Sequence, residues 1–317
     1  MEPGHARTGS MRARAARLRA HGEPLVVEDV ELGEPGPGEV VVDMAYGGVN
    51  PVDRYVALGR VGPDVLLPRT IGSEGAGTVD GRPVVVRGQG IWSTNVIVRG
   101  DALIEVPEGV PLDVAASIGV AGVTAWRTVH ELAAVIPEDR VLVLGASGGV
   151  GSMIVSIAHR LGATVWGQTG SAAKAAFVAE RGADQVIVAD AEALGSELDD
   201  FSPTVVLDPL GGSYTGAVIA AMAPRGRLVL YGTSADTTGQ VPLQALYRKS
   251  LRVMGYGGLM ESGEAIAAGI RAALEAVRDG RLEVVIDSRV QLENVNTAFD
   301  RLVDRSVCGK VVLDLES

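Results

Sequence analysis

Val141-Leu-Val-Leu-Gly-Ala-Ser-Gly-Gly-Val-Gly151 passes from four apolar residues straight into a glycine-rich turn. Downstream, Val150, Met153, Ile154, Ile157, Ala158 and Leu161 recur at i, i+3, i+4 and i+7, the stripe of a helix packed on a sheet, and Gly162 supplies its stop. A buried strand, a glycine loop and a helix in that order give the string its meaning. Gly145 can make the tight turn, Gly148 and Gly149 let backbone N–H groups reach a pyrophosphate, and Gly151 lets helix and strand approach. The helix N-terminus adds partial positive charge toward the anion. Read alone, the same string is a glycine turn without a ligand, so the flanking sequence has to decide.

The flanks repeat the pattern. Strand candidates at 140–144, 164–168, 185–188, 204–207, 227–230 and 251–254, with helices between them, predict a doubly wound parallel sheet. Ser171 is placed to cap a helix running to Arg181, which Gly182 stops, and 265–277 makes another helix. Upstream, residues 25–106 hold short β-like runs, Pro24-Leu-Val-Val, Glu39-Val-Val-Val-Asp-Met and Arg82-Pro-Val-Val-Val-Arg, separated by Gly and Pro. A first strand is expected before them, near 15–20. Beyond Val284 strands return around an amphipathic segment at 295–303, and Lys310-Val-Val-Leu-Asp-Leu ends the chain as a tail able to rejoin the first domain. The expected fold class is α/β: a Rossmann sheet with a second, β-rich domain.

Bulk properties narrow the function. A chain of 317 residues accommodates two domains of common size, and 21% charged against 47% apolar residues is the balance of a folded protein. The longest apolar runs, such as 141–144 and 284–286, fall far short of the roughly 20 residues needed to cross a bilayer, so no membrane partner is expected. A formal charge of −11 repels phosphate backbones, which argues against nucleic acid. The single cysteine, Cys308, permits neither an intrachain disulfide nor a cysteine-built zinc site, which suits a reducing cytoplasm; its simplest role is a small buried apolar residue. Residues 1–10 read as a disordered leader, although the basic stretch from 3 to 22 also fits a transit peptide.

In this fold an acid about 20 residues after the glycine loop selects NAD through the ribose hydroxyls. Here the window reads Val165-Trp-Gly-Gln-Thr-Gly-Ser-Ala-Ala-Lys, without a carboxylate. Thr169 and Ser171 can instead donate hydrogen bonds, and Lys174 a charge, to a 2′-phosphate, which favours NADPH. Lys174 also reads as a solvated helix lysine and Ser171 as a plain helix cap.

Five motifs then fall in one order: Tyr46-Gly-Gly-Val-Asn-Pro-Val-Asp-Arg-Tyr, Ile71-Gly-Ser-Glu-Gly-Ala-Gly, Gly122-Val-Thr-Ala-Trp, the Gly145 to Gly151 loop, and Cys308-Gly-Lys-Val-Val-Leu. Together they resemble the medium-chain dehydrogenase/reductase superfamily, and most of all its zinc-independent quinone oxidoreductase (zeta-crystallin-like) branch, over about 11–315. The resemblance implies a GroES-like catalytic domain at 11–118, completed by 286–317, and a Rossmann NADPH-binding domain at 119–285, with the cofactor between them. Zinc-dependent members carry Cys near Asn50 and His at the place of Ser73. Neither is present, and His5, His21, His130 and His159 show no ligand spacing, so no metal is expected. Glu74 remains, and is expected to pair with a nearby Arg of the small domain.

By the same resemblance Asn50 lies beside the nicotinamide and acceptor, Thr124 at the cofactor-facing start of the inter-domain helix, and Tyr55 along the substrate cleft. Further cofactor contacts are implied for Ser147, Gly148, Gly149 and Val150 in the loop, Leu210 after the fourth strand, Gly232, Thr233 and Ser234 after the fifth, Gly257 after the sixth, and Gly309 with Lys310 in the tail. Hydride addition to a β-carbon builds enolate charge that a phenol, an amide or ordered water can stabilise. Plainer readings stand beside these: Asn50-Pro51 is a turn signature, Tyr55 a packing residue and Gly309-Lys310 a β-turn. The implied activity is NADPH-dependent reduction of a quinone or α,β-unsaturated carbonyl. The alternatives are a biosynthetic enoyl-thioester (CoA or carrier-bound) reductase and a non-catalytic NADPH-binding protein. Two departures from the family pattern bear on this: the stretch 77–95 is short, and Val61 stands where enoyl-thioester reductases often carry Tyr. The apolar edge strand beginning at Leu251 predicts a homodimer.

Overall fold

The computed structural model describes residues 11–61, 66–198 and 200–316. The expected leader at 1–10 lies outside the described residues. In chain order the strands are β1 (Met11–Leu18), β2 (Val26–Leu32), β3 (Glu39–Gly48), β4 (Arg69–Thr70), β5 (Glu74–Val79), β6 (Arg82–Arg87), β7 (Asn95–Arg99), β8 (Ile104–Glu105), β9 (Arg140–Val143), β10 (Thr164–Thr169), β11 (Gln185–Val188), β12 (Val205–Asp208), β13 (Arg227–Leu230), β14 (Arg252–Gly255), β15 (Ile286–Gln291) and β16 (Lys310–Asp314).

Strands β9 to β14 form one parallel sheet in the order β11-β10-β9-β12-β13-β14, each strand in register with its neighbour. The order reverses at β9, so the loop after β9 emerges at the switch point where such sheets bind ligands. Leu142 and Leu144 enter one core with Ile187, Leu194 and Leu228, while Val141 and Val143 enter the other with Met153, Ile154 and Ile157. Burial on both faces explains why this strand reads as an unbroken apolar run.

The other main sheet runs β15-β16-β3-β5-β6-β8, with β7 pairing β3, and a smaller sheet runs β2-β1-β4. The tail rejoins the N-terminal half through β16, which lies antiparallel to β3 with Val312 opposite Gly48. The first strand ends earlier than 15–20 because it zips onto β2 from Met11 opposite Leu32 to Arg17 opposite Val26, after which the chain must turn. The helix expected from Ser171 also differs. Its first turn, Ala172–Lys174, is a tight 3-10 turn closed by Lys174 N–H on the Ser171 carbonyl, and the α-helix proper is Ala175–Glu180. The Ser171 side chain makes no cap.

Between the two main sheets the chain is helical from Ile118 to Leu132, with wider i→i+5 turns at both ends, marked by Gly122 N–H on Ser117 O and Ala133 N–H on Thr128 O. Helix Gly263–Arg278 packs on this segment: a Cβ at Gly269 would lie 2.8 Å from Val123. Among the described residues no helix is long and apolar enough to cross a membrane.

Candidate active site

The glycine loop has the geometry its sequence implies. Gly145 sits at φ +58°, and a Cβ on Gly151 would fall 2.3 Å from the Gly145 carbonyl oxygen, so helix Gly149–Arg160 starts against the strand end. Gln168 braces the turn: its side-chain oxygen accepts from Gly145 N–H at 3.0 Å and its carbonyl from Ala146 N–H at 2.8 Å. Ser147 Oγ lies 3.4 Å from Thr169 Oγ1, bringing together two of the expected contacts. The first turn of a helix leaves its N–H groups without intrahelical acceptors, and here Gly149 and Val150 present theirs.

The tail closes over this loop. Gly309 N–H donates to the Ser147 carbonyl at 2.9 Å, at a φ of +101° that favours glycine. The Lys310 stem crosses Gly149 so closely that a Cβ there would meet its Cδ at 2.6 Å. The ammonium ends in a buried pocket at the end of β3 and the start of β5, donating to Val49 O at 2.9 Å, Asn50 Oδ1 at 2.8 Å and Glu74 Oε1 at 2.8 Å. All three of its protons are thereby used. Lys310 thus reaches the site as a buried brace rather than as an open cation.

Asn50 precedes helix Pro51–Ala57 and is held from both ends, its Nδ2 donating to Glu74 Oε1 at 2.6 Å while Oδ1 accepts from Lys310. Glu74 is fully buried, and its Oε2 accepts from Val120 N–H at 2.6 Å. The expected Glu74–Arg pair is not formed, because the buried partner is the lysine of the returning tail. Thr124 lies one turn on, its hydroxyl donating to Val120 O at 2.6 Å. Tyr55 is half-buried on the helix that Asn50 begins. Asp53, on the same helix, accepts Asn50 N–H on Oδ2 at 2.8 Å and the Ser73 hydroxyl on Oδ1 at 2.6 Å. Burial pushes its carboxyl up to about 7, against the lowering effect of those two hydrogen bonds.

At the carboxyl ends of the other parallel strands, Asp208 organises the Leu210 loop by accepting Leu210 N–H at 2.7 Å, Gly211 N–H at 3.1 Å and the Thr215 hydroxyl at 2.6 Å. A Cβ at Gly232 would lie 2.8 Å from Pro209 O, and Ser234 donates its N–H and hydroxyl to that same carbonyl. Beside them a cavity of about 310 Å³ is lined by Tyr231, Gly232, Thr233, Gly255, Tyr256 and Gly257. The buried Tyr231 and Tyr256 hydroxyls have no hydrogen-bond partner among the described residues. Lys174 is not gathered with this group; its ammonium donates to Val307 O at 3.0 Å. Cys308 is half-buried rather than buried.

Sequence reasoning therefore did not single out Asp53, Glu74 or Asp208 as parts of the site. Asp53 had a signal, since Asn50 followed by an acid three residues later has the spacing of a helix-start box. Asp208 had none, because its partners come from the loop that follows it, and Glu74, although inside the Ile71 to Gly77 motif, was given the wrong partner because the right one comes from a distant strand. Among the described residues no group of three or more His, Cys, Asp or Glu side chains is placed to hold a metal ion.

Comparison with known proteins agrees with this geometry. The family described as zinc-binding dehydrogenase matches residues 149–280. Quinone oxidoreductase-like protein 2 of Bos taurus is 28% identical, over 96% of this chain and 93% of its own length. The mitochondrial enoyl-[acyl-carrier-protein] reductase of Xenopus tropicalis is 27% identical over 93% of each. The quinone oxidoreductase of Thermus thermophilus, whose structure was also solved with NADPH, superposes with a TM-score of 0.86 at 27% identity, covering 95% of this chain and 100% of the other. Similarity over nearly the whole length of the chain, in sequence and in fold, supports the medium-chain dehydrogenase/reductase superfamily, quinone oxidoreductase branch, as the family this chain resembles.

Proposed function

We propose that this protein is a zinc-independent, NADPH-dependent reductase that transfers hydride to a quinone or an α,β-unsaturated carbonyl. The observation that carries the reading is the joining of the glycine loop to Asn50 by a single element, the Gly309-Lys310 tail, which touches Ser147 and Gly149 on one side and Asn50 on the other. The residues fit a dinucleotide: the first-turn N–H groups, the missing side chains at Gly148 and Gly149, and the absence of any carboxylate at Thr169, Ser171 and Lys174 suit a pyrophosphate and a 2′-phosphate. When bound, the reduced nicotinamide supplies the hydride.

The chain's own residues do the rest. Ser147, Gly148, Gly149 and Val150 hold the pyrophosphate, with Leu210, Gly232, Thr233, Ser234 and Gly257 along the strand ends. Glu74 and Lys310 fix the Asn50 amide, and the second Nδ2 hydrogen remains to meet an acceptor oxygen as it gains charge. Tyr55 and Thr124 border the reacting centre. The GroES-like part at 11–118 with 286–317 and the Rossmann part at 119–285 form the two walls of the cleft, a division supported by the membership of the two main sheets. Cytoplasmic residence suits the single unpaired cysteine.

A second reading, reduction of an enoyl thioester, is favoured by one observation, the similarity to an enoyl-carrier-protein reductase over nearly the whole chain. Steady-state oxidation of NADPH with a panel of quinones, enones and enoyl thioesters separates the two, and no turnover with any acceptor leaves a nucleotide-binding protein. Exhaustive chelation is expected to leave the activity intact; loss with recovery on added zinc would reverse the metal assignment. A homodimer is supported by the exposed edge strand β14 with Val253, Tyr247, Leu243 and Met260 exposed around it. Sedimentation showing a monomer at working concentration would contradict that assembly.

A further inference from the structure

We propose that Asp53 and Ser73 form the proton route of the reaction: Ser73 delivers the proton to the acceptor and Asp53 replaces it. The inference rests on the reductase reading above and adds the step that reading leaves open, the source of the proton that must follow the hydride.

The geometry sets the direction. Asp53 Oδ2 is committed as acceptor to Asn50 N–H at 2.8 Å, so a proton on this carboxyl sits on Oδ1, which lies 2.6 Å from Ser73 Oγ. In that state Ser73 accepts from Asp53, and its own hydrogen is released to point away from the carboxyl. Asp53 itself is 2% exposed while Ser73 is half-buried, so the hydroxyl is the carboxyl's outlet. Lys310 spends its three protons on three oxygens and Thr124 donates its proton to Val120 O, so neither offers one to the acceptor.

Charge balance keeps the acid form available. The charged groups facing Asp53 are Glu74 from β5, which opposes its ionisation, and Lys310 from β16, which favours it. Since these two already form a buried ion pair at 2.8 Å, a third charge in the same pocket is disfavoured chiefly by burial. Asp53 therefore exchanges its proton near neutrality, where a general acid is most useful.

The step balances. The acceptor gains a hydride at its β-carbon and its oxygen takes the electron pair as an enolate, or as a hydroquinone anion when the acceptor is a quinone. The Ser73 O–H bond then breaks toward that oxygen as the Asp53 O–H bond breaks toward Ser73 Oγ. Asp53 is left as a carboxylate, and water returns its proton.

The test joins kinetics to a readout independent of turnover. Ser73→Ala is expected to lower kcat on the order of a hundredfold and to abolish the fall of kcat as pH rises past neutrality, with NADPH affinity by fluorescence titration unchanged. Ser73→Thr, which restores a hydroxyl, should recover the rate and the pH profile, and Tyr55→Phe should keep that profile. Infrared difference spectra of the unliganded protein should show a protonated-carboxyl band below pH 7 that is lost above it and is missing in Asp53→Asn. Wild-type kcat and pH profile in Ser73→Ala, or a titrating band that persists in Asp53→Asn, overturns the route while leaving the reductase reading standing. A wild-type protein that turns over no acceptor overturns both.

Discussion

Lys310 Nζ and Glu74 Oε1 meet at 2.8 Å with side chains 3% and 0% exposed, a buried ion pair formed across 236 residues of sequence. The pair is fully satisfied, since the lysine also meets Val49 and Asn50, and the glutamate also meets Asn50 and Val120. Such a pair stabilises little against an apolar substitute, yet breaking it from one side leaves an uncompensated buried charge. Lys310→Met is therefore expected to cost about 3–5 kcal/mol in urea unfolding. The double variant Lys310→Met, Glu74→Gln should recover much of that loss, and strictly additive losses would show that the two residues act independently.

The loop can be probed where a side chain has no room. A Cβ at Gly151 would lie 2.3 Å from a backbone oxygen, which cannot rotate away, so Gly151→Ala must displace the helix start or the turn. The expected cost is about 1–3 kcal/mol, with a clear loss of NADPH affinity. Gly170→Ala, where nothing lies within 4 Å of the added atom, serves as the control and should stay within about 0.5 kcal/mol of wild type. Equal behaviour of the two variants in melting and titration would contradict the close approach.

Much of the parallel sheet could be read from the sequence because its information is local. Strands β11 and β13 and the helix Val295–Val303 begin and end where the sequence pattern places them, and β9 is bounded by the glycine turn. Local patterns fail where a partner strand or a backbone turn decides. Pairing with β2 sets the end of β1, and the Lys174 N–H bond to Ser171 O replaces the side-chain cap. The tight turn of the glycine loop was legible for the same local reason. The Asn50–Glu74–Lys310 cluster was not, since nothing near Glu74 says which of 28 basic residues will arrive from the tail.

Lys174 tests cofactor choice. Its ammonium rests on the Val307 carbonyl at 3.0 Å, a neutral acceptor it can exchange for a 2′-phosphate by turning its flexible stem. A charge-assisted contact contributes about 1.5–3 kcal/mol, so Lys174→Ala should weaken NADPH binding about tenfold to hundredfold more than NADH binding. Equal losses for both cofactors would assign Lys174 to holding the 307–309 turn instead.

Asp53 makes stability depend on pH in a direction opposite to that of an ordinary salt-bridged carboxylate. Its carboxyl titrates at about 7 in the folded protein against 3.8 for the free side chain, chiefly because it is buried. Between those values the native state keeps a proton that the unfolded chain has released, so the contribution is whole below the unfolded value and lost as pH rises toward the folded one. The slope is at most about 1.4 kcal/mol per pH unit for one proton, and it flattens above the folded value. Asp53→Asn retains an acceptor for Asn50 N–H and cannot ionise, which makes it the reference. The difference in unfolding free energy, wild type minus Asp53→Asn, should decline across that window and level off beyond it. A difference that is flat, or that rises with pH, would mean the carboxyl is ionised in the folded protein, with the Ser73 hydroxyl donating to it permanently.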